Sequence, residues 1–142
     1  MDVEKKTRRC SDVSYIEIYH KKGDQGYYHN EDGPAYISYD KDDLIKCELY
    51  YINGKLHRED GPARIYYNTD SSIYYEEYRI NDKLHKEDGP AIIYYNKDSS
   101  VECKLYYIND RSLSKEEWER DYGWKKQLKG TPMGEIFGVK NE

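Results

Sequence analysis

The sequence predicts an all-β fold: tandem 28-residue β-hairpin repeats forming an elongated antiparallel sheet, an open solenoid, capped by a short C-terminal helix. Three observations lead there. The run Leu56-His57-Arg58-Glu59-Asp60-Gly61-Pro62-Ala63 returns as Leu84-His85-Lys86-Glu87-Asp88-Gly89-Pro90-Ala91. A less clean copy, Tyr28-His29-Asn30-Glu31-Asp32-Gly33-Pro34-Ala35, precedes both, so Glu31, Glu59 and Glu87 stand 28 residues apart, and a fixed period of that size marks a repeat architecture. Between the copies lie short runs of alternating side chains, the period of a strand. Finally, Leu, Ile, Val and Phe make up only 24 of the 142 residues, but there are 18 Tyr and the net charge is only -5. Tyrosine favours strands and buries a large ring while keeping a polar tip, so the composition is that of a folded β protein with an aromatic core rather than a disordered chain.

Taken in order, residues 1–12 are polar and charged and are expected to be a flexible tail. Residues 13–113 form the repeat domain, a degenerate N-terminal unit plus three full units. Val13 to His20 is the first strand, followed by the Gly-bearing loop Lys21–Gly26. Each full unit opens with a strand: Ala35–Tyr39, Ala63–Tyr67 and Ala91–Tyr95. One face of these strands reads Ala-Ile-Tyr in every unit and is the expected core face; the other varies. A turn follows at 40–44, 68–72 and 96–100, with Asn or Asp first and Asp third, side chains that bond nearby backbone and tolerate left-handed conformations. The return strands are Ile45–Ile52, Ile73–Ile80 and Val101–Ile108. Their first apolar residue lies an odd number of positions from the constant Tyr50, Tyr78 and Tyr106, which predicts a β-bulge or bend near 47–49, 75–77 and 103–105, the alternative being a strand with both faces partly covered. Asn53-Gly54, Asn81-Asp82 and Asn109-Asp110 are tight-hairpin signals. In the last unit the signature is replaced by Ser114-Lys115-Glu116-Glu117-Trp118, a capping box that starts a helix over 114–128, with Trp118 and Tyr122 on one stripe and Gly123 weakening or ending it. Residues 129–142 read as a second flexible tail.

The charge is mildly acidic with both signs interspersed, which offers no steering field for nucleic acid. The three cysteines, Cys10, Cys47 and Cys103, include no close pair; Cys47 and Cys103 are equivalent positions with Tyr75 between them, which reads as packing rather than as a disulfide or a metal knuckle. With reduced thiols and no apolar run resembling an export signal or membrane span, the expected location is the cytoplasm of the producing or infected cell.

The signature brings His, Glu and Asp together, and its residues are His29, Asp32, Gly33 and Pro34; His57, Asp60, Gly61 and Pro62; and His85, Asp88, Gly89 and Pro90. Strands about 4.8 Å apart place equivalent histidines of successive units roughly 10–14 Å from one another, too far to share an ion. Three copies of an acid–base pair would mean three active sites in a row. A structural role fits better: Gly-Pro shapes the backbone, Asp60 accepts a loop N–H such as that of Ala63, and the histidine donates to a neighbouring loop. No catalytic residue, metal or cofactor is expected.

The stretch Tyr51 to Tyr67, Tyr-Ile-Asn-Gly-Lys-Leu-His-Arg-Glu-Asp-Gly-Pro-Ala-Arg-Ile-Tyr-Tyr, resembles the MORN-repeat variants, tandem β-hairpin units of the kind seen in bacteria, phages and giant DNA viruses. The resemblance covers about residues 27–113. It implies a hairpin-repeat sheet and an interaction scaffold rather than an enzyme. The 28-residue period exceeds the usual MORN unit, and the Gly-x-Gly and Tyr-x-Gly-x-Trp elements of ordinary MORN repeats are absent. The expected function is therefore a non-enzymatic scaffold that binds another protein, in one version a viral or bacterial inhibitor or immunity protein that blocks a specific target. The variable-face residues Tyr36, Arg64, Tyr66, Ile92 and Tyr94 are the candidate contacts. The alternative is a small-ligand or single-stranded nucleic-acid binder using the tyrosine-rich face, which also needs a basic groove.

Overall fold

Alternation of side chains turns into pairing where two such runs lie side by side, and nine runs do so in one sheet here. The computed structural model describes residues 3–10, 15–23 and 26–128. Its strands are β1 (Val3–Arg9), β2 (Tyr15–Lys21), β3 (Tyr36–Tyr39), β4 (Ile45–Leu49), β5 (Tyr51–Ile52), β6 (Lys55–Leu56), β7 (Arg64–Tyr67), β8 (Ile73–Glu77), β9 (Arg79–Ile80), β10 (Lys83–Leu84), β11 (Ile92–Tyr95), β12 (Val101–Ile108) and β13 (Arg111–Leu113), followed by helix α1 (Lys115–Leu128). Nine of them form one antiparallel sheet in the order β1-β2-β3-β4-β7-β8-β11-β12-β13, while β5-β6 and β9-β10 are two-stranded ribbons. The protein is thus mostly β, with one large open sheet and one C-terminal helix.

The register defines two faces. Glu17, Ile37, Glu48, Ile65, Glu76, Ile93 and Lys104 lie opposite one another in a row across the sheet. The other face carries Ile18, Tyr36, Leu49, Arg64, Glu77, Ile92 and Leu105 in one row and Ser38, Cys47, Tyr66, Tyr75, Tyr94 and Cys103 in the next. Burial is shared between them. Ala35, Ala63 and Ala91 are fully buried and Ile65 and Ile93 nearly so, as the Ala-Ile-Tyr face requires, but Cys47 and Ile92 on the other face are also buried. At one end of the sheet α1 packs against β12 and β13. The capping box forms as written: Ser114 N–H donates to Glu117 and the Glu117 N–H donates to Ser114 Oγ. It aims Trp118 onto Tyr106, ring centroids 4.9 Å apart, in a cluster with Leu113, Ile108 and Tyr122.

Three expectations need correction. Val3–Arg9 is a strand, not a tail: it pairs residue for residue with β2, and Lys5 binds Glu17 at 2.5 Å. Its charged sequence is that of a sheet edge, where lysines and arginines discourage further pairing. Residues 11–14 and 129–142, in which the rest of the first tail, the start of the first strand and the second tail fall, lie outside the described residues. The bulges exist but one residue earlier than the predicted windows, at Lys46, Tyr74 and Glu102, where Ser38 faces Cys47 yet Tyr39 faces Ile45, and likewise in the next two hairpins. Gly123 does not end the helix, which runs on to Leu128.

Candidate interaction surface

On the constant face, two tyrosine positions that recur every 28 residues are held in closely similar ways. Tyr39, Tyr67 and Tyr95 donate their hydroxyls to Glu17, Glu48 and Glu76 of an earlier strand, at 3.3, 2.6 and 2.8 Å. Burial and then the Glu17 charge push Tyr39 up to about 12; burial and the hydrogen bond to a carboxylate raise Tyr67 and Tyr95 further. Tyr50 and Tyr78 are capped by cations, the Arg58 guanidinium at 3.9 Å and the Lys86 ammonium at 3.6 Å, where Trp118 caps Tyr106.

The signature is the second joint. His29, His57 and His85 accept the backbone N–H of Asn53, Asn81 and Asn109 through Nδ1, at 2.9, 3.1 and 3.2 Å. That makes Nε2 the protonated nitrogen of the neutral ring, and it faces Glu31, Glu59 and Glu87 at 3.6, 3.6 and 3.8 Å. The histidines therefore accept from the next turn rather than donate to it. The turns reach back in return: Asp82 and Asp110 accept the Leu56 and Leu84 N–H groups at 2.7 Å, with both residues of each Asn-Asp turn at positive φ. Gly54 stands at the equivalent place because a Cβ there would sit 2.4 Å from the Tyr27 ring.

Asp60 does not hold a loop N–H. It is 87% exposed and accepts from Arg58 Nε at 3.0 Å, while the Ala63 N–H goes to the Glu77 carbonyl. Asp32 likewise is exposed and gives its N–H to the Asn30 side chain; Asp88 is half-buried. Gly33, Gly61 and Gly89 adopt no positive φ; at Gly61 the Arg58 guanidinium would come within 2.8 Å of a Cβ, whereas at Gly33 and Gly89 a Cβ would meet Asn30 and Lys86 at ordinary contact distance. Arg58 also donates to the Pro62 carbonyl, as Asn30 does to that of Pro34. Pro90 is half-buried at the same point of its loop. Among the described residues no three His, Cys, Asp or Glu side chains are grouped to hold a metal ion.

The variable face is different in kind. Tyr66 stacks with Tyr74 at 5.9 Å and meets Tyr75 at 5.5 Å, and Tyr75 meets Tyr94 edge-on at 5.0 Å. Tyr74 is the bulged residue of β8; the bulge puts two consecutive tyrosines beside Tyr66, and Tyr74 and Tyr94 stay 40% and 38% exposed. Next to this cluster, the Glu77 carboxylate is 2% exposed and held by the Tyr75 hydroxyl, by Arg79 and by Arg64 at 3.5 Å. Of the five candidate contacts, Tyr94 is exposed, Tyr36 and Tyr66 are half-buried, Arg64 is committed to Glu77 and Ile92 is buried. Tyr74 and Tyr75 belong to the cluster and were not among the candidates; two consecutive tyrosines at the edge of a predicted bulge were the available signal.

Compared with family models, with curated proteins and with solved structures, the chain matches none of them. None of the described helices is long and apolar enough to cross a membrane.

Proposed function

We propose that the protein is a non-enzymatic tandem-repeat scaffold, an open solenoid of hairpins, whose variable face binds another protein. The observation that carries this reading is the aromatic cluster of Tyr66, Tyr74, Tyr75 and Tyr94, partly exposed on an open sheet. Tyrosine contributes large, rigid contact area with a polar tip, the profile of an interface anchor. The recurring contacts of the constant face and the resemblance of Tyr51–Tyr67 to MORN-variant repeats support the repeat reading. Every histidine of the signature is occupied by a loop-to-loop bond, which supports a structural rather than an acid–base role. A protein that holds and blocks one target in the cytoplasm of the producing or infected cell is the version this surface suits.

The test is an affinity capture from source-cell lysate, with the parent chain beside a Tyr66→Ala/Tyr94→Ala variant. The parent should retain a specific protein that the variant loses. Equal recovery by both, or none by either, would remove the proposal. A salt titration against single-stranded DNA and RNA covers the alternative: tight, salt-sensitive binding lost in the same variant would replace the protein partner with nucleic acid.

A further inference from the structure

The chain has two tryptophans, Trp118 and Trp124, and both line one cleft of about 800 Å3 between α1 and β12, with Tyr106 beside them. That volume is within the usual range of small-molecule sites. Three features of the cleft go beyond packing. The Trp118 side chain is 4% exposed, yet its indole N–H is buried and meets no acceptor among the described residues. A buried donor left unpaired is costly, and folded proteins keep few of them. Gly123 lies inside α1, where glycine is less favourable than other residues. Its φ is not positive, and a Cβ there would meet only the Glu119 Cβ, at an ordinary 3.7 Å. Neither the backbone nor crowding requires glycine; what it leaves is room in the cleft that it lines.

The third feature is a change of sign. Lys104 stands where the two preceding hairpins have Glu48 and Glu76, each of which accepts a tyrosine hydroxyl from the next hairpin. The last hairpin is followed by α1 instead, and Lys104 shares a strand face with Tyr106 and lines the cleft. Lys115 and Lys126 line it from the helix. Glu119, the one carboxylate among the described lining residues, is paired with Lys115 at 3.6 Å, while Lys104 and Lys126 make no ion pair among the described residues. Trp124 is 53% exposed and spends its N–H on the Asp121 carbonyl at 3.3 Å, so what remains to it is ring surface.

These are two halves of one ligand chemistry. An exposed indole stacks on a planar ring, and unpaired ammonium groups draw an anion. A ring that carries a phosphate meets both, and its oxygens supply the acceptor that the Trp118 N–H lacks. The size of the cleft suits one nucleotide rather than a strand, and the net charge of -5 offers a strand no wider attraction. We infer that the cleft between α1 and β12 is a mononucleotide site, with the base against Trp124 and the phosphate held by Lys104 and Lys126. The site lies beside the helix on the constant face and does not depend on the partner-binding reading of the variable face.

Because both tryptophans line the cleft, their fluorescence, excited beyond the absorption of the base, reports its occupancy. The test is a titration with AMP, with adenosine and inorganic phosphate alongside. AMP should saturate the signal below about 1 mM, and adenosine and phosphate should each bind about tenfold more weakly or worse, since each offers one half of the ligand. Lys104→Glu restores the carboxylate of the earlier hairpins at an exposed position; it should weaken AMP about tenfold or more and leave the melting temperature unchanged. Gly123→Leu should abolish binding in a helix at least as stable as the parent's, because leucine is the better helix former and its side chain fills the cleft. No saturation by AMP below about 1 mM, adenosine or phosphate binding as tightly as AMP, or AMP binding unchanged in either variant would overturn the inference.

Discussion

The two faces of the sheet are built from the same strands but obey different rules. On one, position and contact recur together: Tyr39, Tyr67 and Tyr95 each bind a carboxylate, and Tyr50, Tyr78 and Tyr106 are each capped. On the other, position recurs and contact does not. The places held by Tyr36, Leu49 and Tyr51 in one hairpin are held by Arg64, Glu77 and Arg79 in the next and by Ile92, Leu105 and Tyr107 in the last. The difference shows where the sequence is constrained by its own neighbours and where it is free to be individual. A contact that joins one hairpin to the next must suit both, so it repeats; a surface that meets something else need not.

The largest effect that would break this comparison lies at Glu77. Glu77→Ala leaves Arg64 and Arg79 without their shared buried carboxylate and should cost about 3–5 kcal/mol in urea unfolding, as loss of one partner of a buried ion pair does. Replacing all three together by the residues of the preceding hairpin, Arg64→Tyr, Glu77→Leu and Arg79→Tyr, should restore most of that stability. If the triple variant is as unstable as the single, the variable face is not free to differ in the way described.

A smaller effect separates two residues of the same signature. His57→Ala removes the acceptor of the Asn81 N–H, a bond at the surface, and should cost about 0.5–1.5 kcal/mol, the net contribution of a typical hydrogen bond. Asp60→Ala, at an exposed ion pair with Arg58, should stay within about 0.5 kcal/mol. Equal costs would mean that the loop is held together by its own charges rather than by its neighbour.

Alkaline pH probes the buried tyrosines of both faces, since burial and the hydrogen bond to Glu77 raise Tyr75 of the variable face as well. Tyr39 is raised to about 12 by burial and by Glu17, and Tyr67, Tyr78 and Tyr95 are also raised above the ordinary value near 10. A raised folded-state value favours the protonated ring in the native protein. This stability is complete below about pH 10, where the unfolded chain keeps its protons too, and is lost as pH rises through the folded-state values. The melting temperature should therefore hold up to about pH 9 and fall above 10, and absorbance should show a group of tyrosines titrating late. All tyrosines ionising together near 10 while the protein remains folded would contradict the contacts.

How much of this was legible depended on whether a residue's role repeats. The 28-residue period gave the hairpins, the turns and the capping box because each is a local device with its own chemistry. The edge strand Val3–Arg9 was hidden, since a strand that guards an edge carries lysine and arginine where a reader looks for alternating apolar residues. Glu77 was hidden because a carboxylate in a strand reads as solvated unless its partners, 13 residues back at Arg64 and two ahead at Arg79, are known to face it. Asp60 was misread through its neighbours: Arg58, lying across Gly61, took the contact assigned to a backbone N–H. The tyrosine cluster needed the exact place of the bulge, one residue from where parity put it.

The most direct measurement compares the removal of one hydroxyl from each face. Tyr67→Phe leaves Glu48 without its donor, whereas Tyr94 presents its ring edge to Tyr75 and is 38% exposed. In matched urea denaturations, Tyr67→Phe should cost about 1 kcal/mol and Tyr94→Phe should change stability by less than about 0.5. Equal losses from the two, or a larger loss from Tyr94→Phe, would contradict the division of the sheet into a face held by recurring contacts and a face that is not.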